Sequence, residues 1–305
     1  MSARNLLRLA IALVVLLALW GAVTLGTRKA DVEERFRIPD TAAKDVDTVV
    51  FAGPHDTLVL ARSGADAWQA NGHPADRRMV ADLLTSLADT AASGDLVAET
   101  PASYSSVGMD SASAKQVRVV AKGKTVADVI VGKAGQVYGT GYVRASSQRR
   151  VYLVRSALPS LASRTADEWR DRRIGGTPKD SIASVDVVRG AKHYRLAKQA
   201  GKWVLSPGGA TDSMAVASFL GELGSIQATG FATPAQLDSL KFTSPKRRLT
   251  VVGPDGRSKL RLVFDSTKSG LWARADTGTT IWKLEPWSAD QITPAESTLA
   301  VRRKH

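Results

Sequence analysis

The sequence has no cysteine. That excludes disulfides, zinc–thiolate centres, iron–sulfur clusters, thiol nucleophiles and lipid attachment through a thioether. Histidine is nearly as scarce: His55, His73, His193 and His305 are scattered, without His-x-x-x-His or His-Glu-x-x-His grouping. No metal and no cofactor are therefore expected. Serines abound, yet no Gly-x-Ser-x-Gly elbow occurs and no Ser-x-x-Lys opens a helix, so a serine nucleophile has no setting. The glycine-rich stretch Gly132–Gly141 lacks both the phosphate-loop pattern and Gly-x-Gly-x-x-Gly, and reads as a long hairpin turn. Acidic residues are fewer than basic ones, 29 against 42, for a net charge of +13.

Charge is also missing from Leu9 to Thr27, and this absence is the most informative one. About 19 residues at 1.5 Å each give about 28 Å of helix, close to the hydrocarbon thickness of a bilayer. Arg4 and Arg8 precede the run, and Trp20 stands where an aromatic meets the headgroups. The run is longer than the apolar core of a cleaved signal, and Gly21–Gly26 offers no convincing cleavage site. The expectation is a single-pass anchor in the inner (cytoplasmic) membrane. Its short N-terminus faces the cytoplasm and the bulk of the chain lies on the extracytoplasmic, periplasmic side.

The basic excess is compatible with anionic neighbours such as lipid headgroups or envelope polymers. Most cations are spread along the chain; the tight clusters are Arg170-Asp171-Arg172-Arg173, Lys246-Arg247-Arg248 and Arg302-Arg303-Lys304. No nucleic-acid recognition motif is present, and nucleic acid is not an expected partner. Asp167, Glu168 and Asp171 lie among arginines and read as salt-bridging groups rather than an acid–base pair.

The chain states one pattern twice, offset by about 135 residues. Val46–Phe51, Thr57–Leu60 and Trp68 recur as Ile182–Val187, Tyr194–Leu196 and Trp203. Each set reads as a β-hairpin followed by a short strand with a tryptophan. Val80, Leu83, Leu84, Leu87 and Ala91 then hold helical spacing, as do Val216, Phe219, Leu220, Leu223 and Gln227. Asp76 and Asp212 stand near the helix starts, and Gly94 and Gly230 past the ends. Four strands follow in each half, with Arg144 aligned to Arg274 and Val151–Val154 to Ile281–Leu284.

The predicted fold is α+β: a transmembrane helix, then two duplicated repeats, each an antiparallel sheet with one amphipathic helix packed on it. The boundaries read as an anchor at 1–27, a linker at 28–44, repeats at 45–157 and 181–290, a connecting segment at 158–180 and a basic tail at 291–305.

Six blocks occur in order: Trp68 with Pro74-Ala75-Asp76, Tyr104 with Gly108-Met109-Asp110, Val131-Gly132-Lys133, Tyr142-Val143-Arg144, Val151–Val154, and Trp169–Ile174. Through these the chain resembles the bacterial domain of unknown function 4340 family over about residues 46–174, and more loosely beyond. Met109 stands where leucine is commoner in that family. The resemblance implies a membrane-anchored extracytoplasmic protein that accompanies ABC-type or gliding-type transporter components. It brings no catalytic residues.

The expected role is that of a non-enzymatic accessory or scaffold protein of an envelope transport system, acting through protein–protein contacts. One alternative is a module binding an anionic glycan or lipid; an uncharacterised hydrolase is a third reading. The candidate binding surface comprises Arg144, Trp169, Arg172, Arg173, Lys246, Arg247, Arg248, Arg274, Trp282 and Trp287. An apolar exposed patch would favour a scaffold, and a cleft lined by arginine and tryptophan a binding module.

Overall fold

The structure is a computed structural model that describes residues 43–89, 94–276 and 278–301. The anchor expected at 1–27, nearly all of the linker expected at 28–44 and the end of the basic tail lie outside the described residues. Among the described residues no helix is long and apolar enough to cross a membrane.

The fold is α+β and sheet-rich. The first strands are β1 (Val46–Ala52), β2 (Thr57–Arg62), β3 (Trp68–Ala70), β4 (His73–Pro74), β5 (Asp95–Ala98), β6 (Lys115–Ala121), β7 (Lys124–Ala134), β8 (Thr140–Ala145) and β9 (Val151–Arg155). After the short β10 (Arg173–Gly175) come β11 (Ser184–Arg189), β12 (Lys192–Gln199), β13 (Lys202–Ser206), β14 (Gly209–Ala210) and β15 (Ile226–Gln227). The last are β16 (Gly230–Phe231), β17 (Arg247–Val252), β18 (Ser258–Thr267), β19 (Gly270–Ala275) and β20 (Ile281–Leu284). Two nine-stranded sheets result, ordered β4-β3-β2-β1-β6-β7-β8-β9-β5 and β14-β13-β12-β11-β17-β18-β19-β20-β16. The two orders are the same plan, and in each the long helix lies between the fourth strand of its half and the edge strand that follows.

By its contacts the chain divides into two compact units, one of residues up to Arg62 with Arg78–Arg164, the other of Ser63–Arg77 with Thr165 onward. In unit 1, alternation along β6 and β7 buries Val117, Val119, Val129 and Val131, while Arg118 and Lys124 stay in water. The period of two is what a sheet with one wet face requires. The helix Arg77–Asp89 adds Val80 and Leu83 to the buried set.

Unit 2 has its own core of Val185, Val187, Leu196, Leu205, Leu249, Val251, Leu262 and Leu284. The helix Ser213–Glu222 contributes Val216, Phe219 and Leu220 to the buried set. Asp212 caps that helix, accepting from the amides of Met214 (2.9 Å) and Ala215 (3.0 Å), as an N-cap carboxylate should. The helix stops at Glu222 rather than running to Gln227 as its apolar spacing suggests. The Gly224 amide closes the turn on the Gly221 carbonyl (3.0 Å), and Ile226–Gln227 goes extended to pair with β10. Glycine costs a helix about 1 kcal/mol relative to alanine, and here two glycines outweigh the periodicity.

Within unit 2, similar backbone closures occur twice. The Asp76 amide donates to Trp169 O (2.8 Å) and the Asp212 amide to Leu299 O (2.9 Å). Asp171 N reaches Pro74 O (2.8 Å), and Val301 N reaches Ala210 O (3.3 Å). Trp169 and Leu299, each beside such a closure, are buried.

Candidate functional site

Unit 2 carries an open cleft of about 980 Å³. Its walls come from places remote in sequence: the β11–β12 turn, the loop before β17, the β18–β19 hairpin and the start of the helix Pro286–Ile292. The strand order brings them together, since β11 and β18 both flank β17.

Five cations line this cleft, Arg189, Lys241, Lys246, Arg247 and Lys268, against the two carboxylates Asp265 and Asp290. Arg189 and Arg247 face each other across β11 and β17. Like charges directly opposed on neighbouring strands repel, and Asp290 offsets this by accepting from both, at 2.9 Å from Arg189 Nη2 and 2.7 Å from Arg247 Nη2. Arg189 Nη1 also donates to Thr293 O (3.2 Å). Asp265 is occupied by backbone: the Lys241 amide reaches Oδ2 (2.6 Å) and the Ser266 amide Oδ1 (2.9 Å). Both carboxylates are thus committed to groups of the protein. Lys241, Lys246 and Lys268 are exposed, and their ammonium groups are outside those commitments.

The same place in unit 1 is built differently. Val117 pairs with Phe51 there as Leu249 pairs with Val187, so Lys115 and Gly53, two residues further on, stand where unit 2 has the guanidiniums of Arg247 and Arg189. Lys115 lies 3.4 Å from Asp56 and donates to Arg164 O (3.5 Å). Its side chain is only 19% exposed. The helix Leu158–Ala162 packs over this end of the sheet, and a Cβ at Gly141 would collide with Pro159. Leu271 is the counterpart of Gly141: Gly141 pairs with Val154 on β9 as Leu271 pairs with Leu284 on β20. The side chain that glycine lacks is present in unit 2, and Leu271 lines the open cleft.

Of the residues singled out from sequence, Lys246 and Arg247 line this cleft. Arg248, next along β17, lines a separate hollow of about 450 Å³ with Phe242, Arg261 and Asp276. Successive strand residues alternate faces, so the Lys246–Arg248 cluster is divided. Arg144 and Arg274 cover aromatic rings, the first 5.3 Å from the centre of Tyr104, the second 4.8 Å from that of Phe242. Arg144 Nη1 also donates to the carbonyls of Ala145 (3.1 Å), Ser146 (3.2 Å) and Gln148 (2.9 Å). Trp169 is wholly buried.

Trp282, half-buried, lines a cavity of about 110 Å³ with His73, Arg170, Arg173 and Phe231. There Arg170 lies 3.5 Å from the centre of the Phe231 ring and 3.0 Å from Asp167. Burial, then the Arg170 charge, push the His73 imidazole below its usual range, and Asp167 partly opposes them. Arg173 is exposed and reaches Asp171 (3.5 Å), while Arg172 is half-buried and its carbonyl accepts from Ala228 N (2.8 Å). Trp287 is 63% exposed, next to Pro286 on the cleft wall. Sequence reasoning missed Arg189, Lys241, Lys268, Asp265 and Asp290, which no linear cluster marks. Among the described residues no group of three or more His, Asp or Glu could hold a metal ion.

The family described as "Domain of unknown function (DUF4340)" matches residues 68–245. The chain belongs to this family. The match runs well past Ile174, from β3 to the loop before β17, and so takes in parts of both sheets. No curated protein and no solved structure matches the chain.

Proposed function

We propose that this DUF4340 protein is a membrane-tethered extracytoplasmic accessory protein that works by holding an anionic partner, with the unit 2 cleft as its contact surface. The observation that carries this reading is the contrast between repeats. Where unit 1 has Gly53 and a Lys115 paired with Asp56, unit 2 has Arg189 and Arg247, with an exposed Lys246 beside them where unit 1 has Ala114. A net charge of +3 in the cleft (five cations, two carboxylates) is costly for folding unless an anion is met. The apolar, uncharged run Leu9–Thr27 supports the tether, and the family resemblance supports a place beside an ABC-type transport assembly.

A second reading, contact with a protein partner, is favoured by unit 1. Its edge strand β5 exposes Leu96 and Val97, and the β7–β8 turn exposes Val137 and Tyr138. Unpaired edges with apolar side chains are templates for association.

The test is affinity recovery of the full chain from detergent-solubilised native membranes, followed by mass spectrometry. Recovery of transporter subunits that is lost in K246Q/K268Q supports the accessory role through the cleft. Recovery insensitive to that change but lost in L96K/V97K moves the contact to unit 1. Recovery of the protein alone would sink the stable-subunit reading.

A further inference from the structure

The cleft's chemistry narrows the anion. Three ammonium groups, from Lys241, Lys246 and Lys268, share one cleft with the hydroxyls of Thr243 and Ser244. Each ammonium carries three donors and no acceptor. Asp290 and Asp265 are already engaged by Arg189, Arg247 and backbone amides. What the cleft offers is therefore an excess of donors, with point charges rather than free guanidinium forks at the front. A single carboxylate, with two oxygens and one charge, leaves most of these donors and two of the three charges unanswered. Phosphate groups present more acceptor oxygens and, in series, one or more charges per unit, and lysine ammoniums bind them as point charges. At about 980 Å³ the cleft has room for a ligand with more than one such group. Phe264, Leu271 and Pro286 supply an apolar side, and exposed Trp287 adjoins Pro286.

We propose that the unit 2 cleft binds a ligand bearing two or more phosphate or phosphodiester charges, held by Lys241, Lys246 and Lys268 in front of the Arg189–Asp290–Arg247 bridge. This rests on the reading of the cleft as an anion site and names its ligand class. The phosphate can belong to a soluble chain or to the headgroups of a lipid surface, where a neighbouring exposed tryptophan is at home.

The full chain, in nanodiscs of phosphatidylcholine, is titrated calorimetrically with inorganic tripolyphosphate and, separately, with polyglutamate. In a second arm it is mixed with sedimentable vesicles of phosphatidylglycerol in phosphatidylcholine. Binding of tripolyphosphate, weakened on the order of tenfold in K246Q/K268Q and unchanged in K198Q/K202Q, establishes the phosphate site with a soluble source. Binding only to the phosphatidylglycerol vesicles, with the same variant pattern, establishes it with a lipid source. Binding of polyglutamate without either phosphate probe overturns the phosphate assignment and leaves the anion reading standing. No binding of any probe overturns both. Circular dichroism of K246Q/K268Q confirms folding; should it fail to fold, the single K268Q variant in the β18–β19 turn takes its place in the same titrations.

Discussion

The guanidinium of Arg274 lies 4.8 Å from the centre of the Phe242 ring, and that of Arg144 lies 5.3 Å from Tyr104 in the other sheet. Each arginine starts from the same place on its strand, Arg144 on β8 and Arg274 on β19, and closes over an aromatic from the loop region that precedes the β6–β7 or β17–β18 hairpin. Both cations make their contacts within the fold. Arg274→Ala should cost about 1 kcal/mol through the lost ring contact and alkyl packing. Arg144→Ala should cost more, about 2 kcal/mol, because three carbonyls lose their donor as well. Urea unfolding reads both, and tripolyphosphate binding should be unchanged in Arg274→Ala.

Gly141→Ala should destabilise unit 1 by about 1–3 kcal/mol, since the added methyl meets Pro159 and the helix Leu158–Ala162 must shift. A thermal melt equal to that of the parent would show that the helix can give way freely.

Tyr194 is buried in unit 2, with its hydroxyl donating to Pro294 O at 2.7 Å. Tyr194→Phe leaves that buried carbonyl without its donor, at a cost of about 1–2 kcal/mol. Burial holds the phenol well above its ordinary value of 10.0, with Arg189 opposing and Glu296 reinforcing the shift. Above pH 10 the unfolded chain loses this proton while the folded one keeps it, so stability falls as pH rises from there. Unfolding titrations across that range should show a shallower fall in Tyr194→Phe.

His73 should titrate below 6.5 in the folded protein, through burial first and the Arg170 charge second. The unfolded chain then takes up the proton first as pH falls, so acidification through that range removes stability. Arg170→Gln should move the His73 midpoint upward, read by NMR of the imidazole; an unmoved midpoint would exclude the Arg170 contribution.

The strands of both sheets were legible because their side chains alternate, as along β6 and β17, with turn residues between them. The cap at Asp212 was legible from residue type alone. The end of its helix was not, because the apolar spacing continues to Gln227 while Gly221 and Gly224 end the helix earlier. The edge pairings of β5 with β9 and β16 with β20 were hidden, being short strands joined to distant ones. The cleft was half legible. Lys246 and Arg247 stand in a run of charge, but Arg189, Lys268 and Asp290 reach it only through strand order. Arg248 belongs to the same run and faces elsewhere because one residue along a strand reverses the face.

Gly141 and Leu271 make each repeat a ready-made control for the other. One scaffold, written twice, carries a shut version and a reachable version of the same corner, and Gly141 against Leu271 is one of the side-chain differences between them. On the proposed reading of the cleft, stability and recognition fall to separate copies. Unit 1 can be held to tight packing at that corner while substitutions accumulate in unit 2. A search among relatives for changed ligand preference should look first at the residues around Leu271, and expect little drift around Gly141.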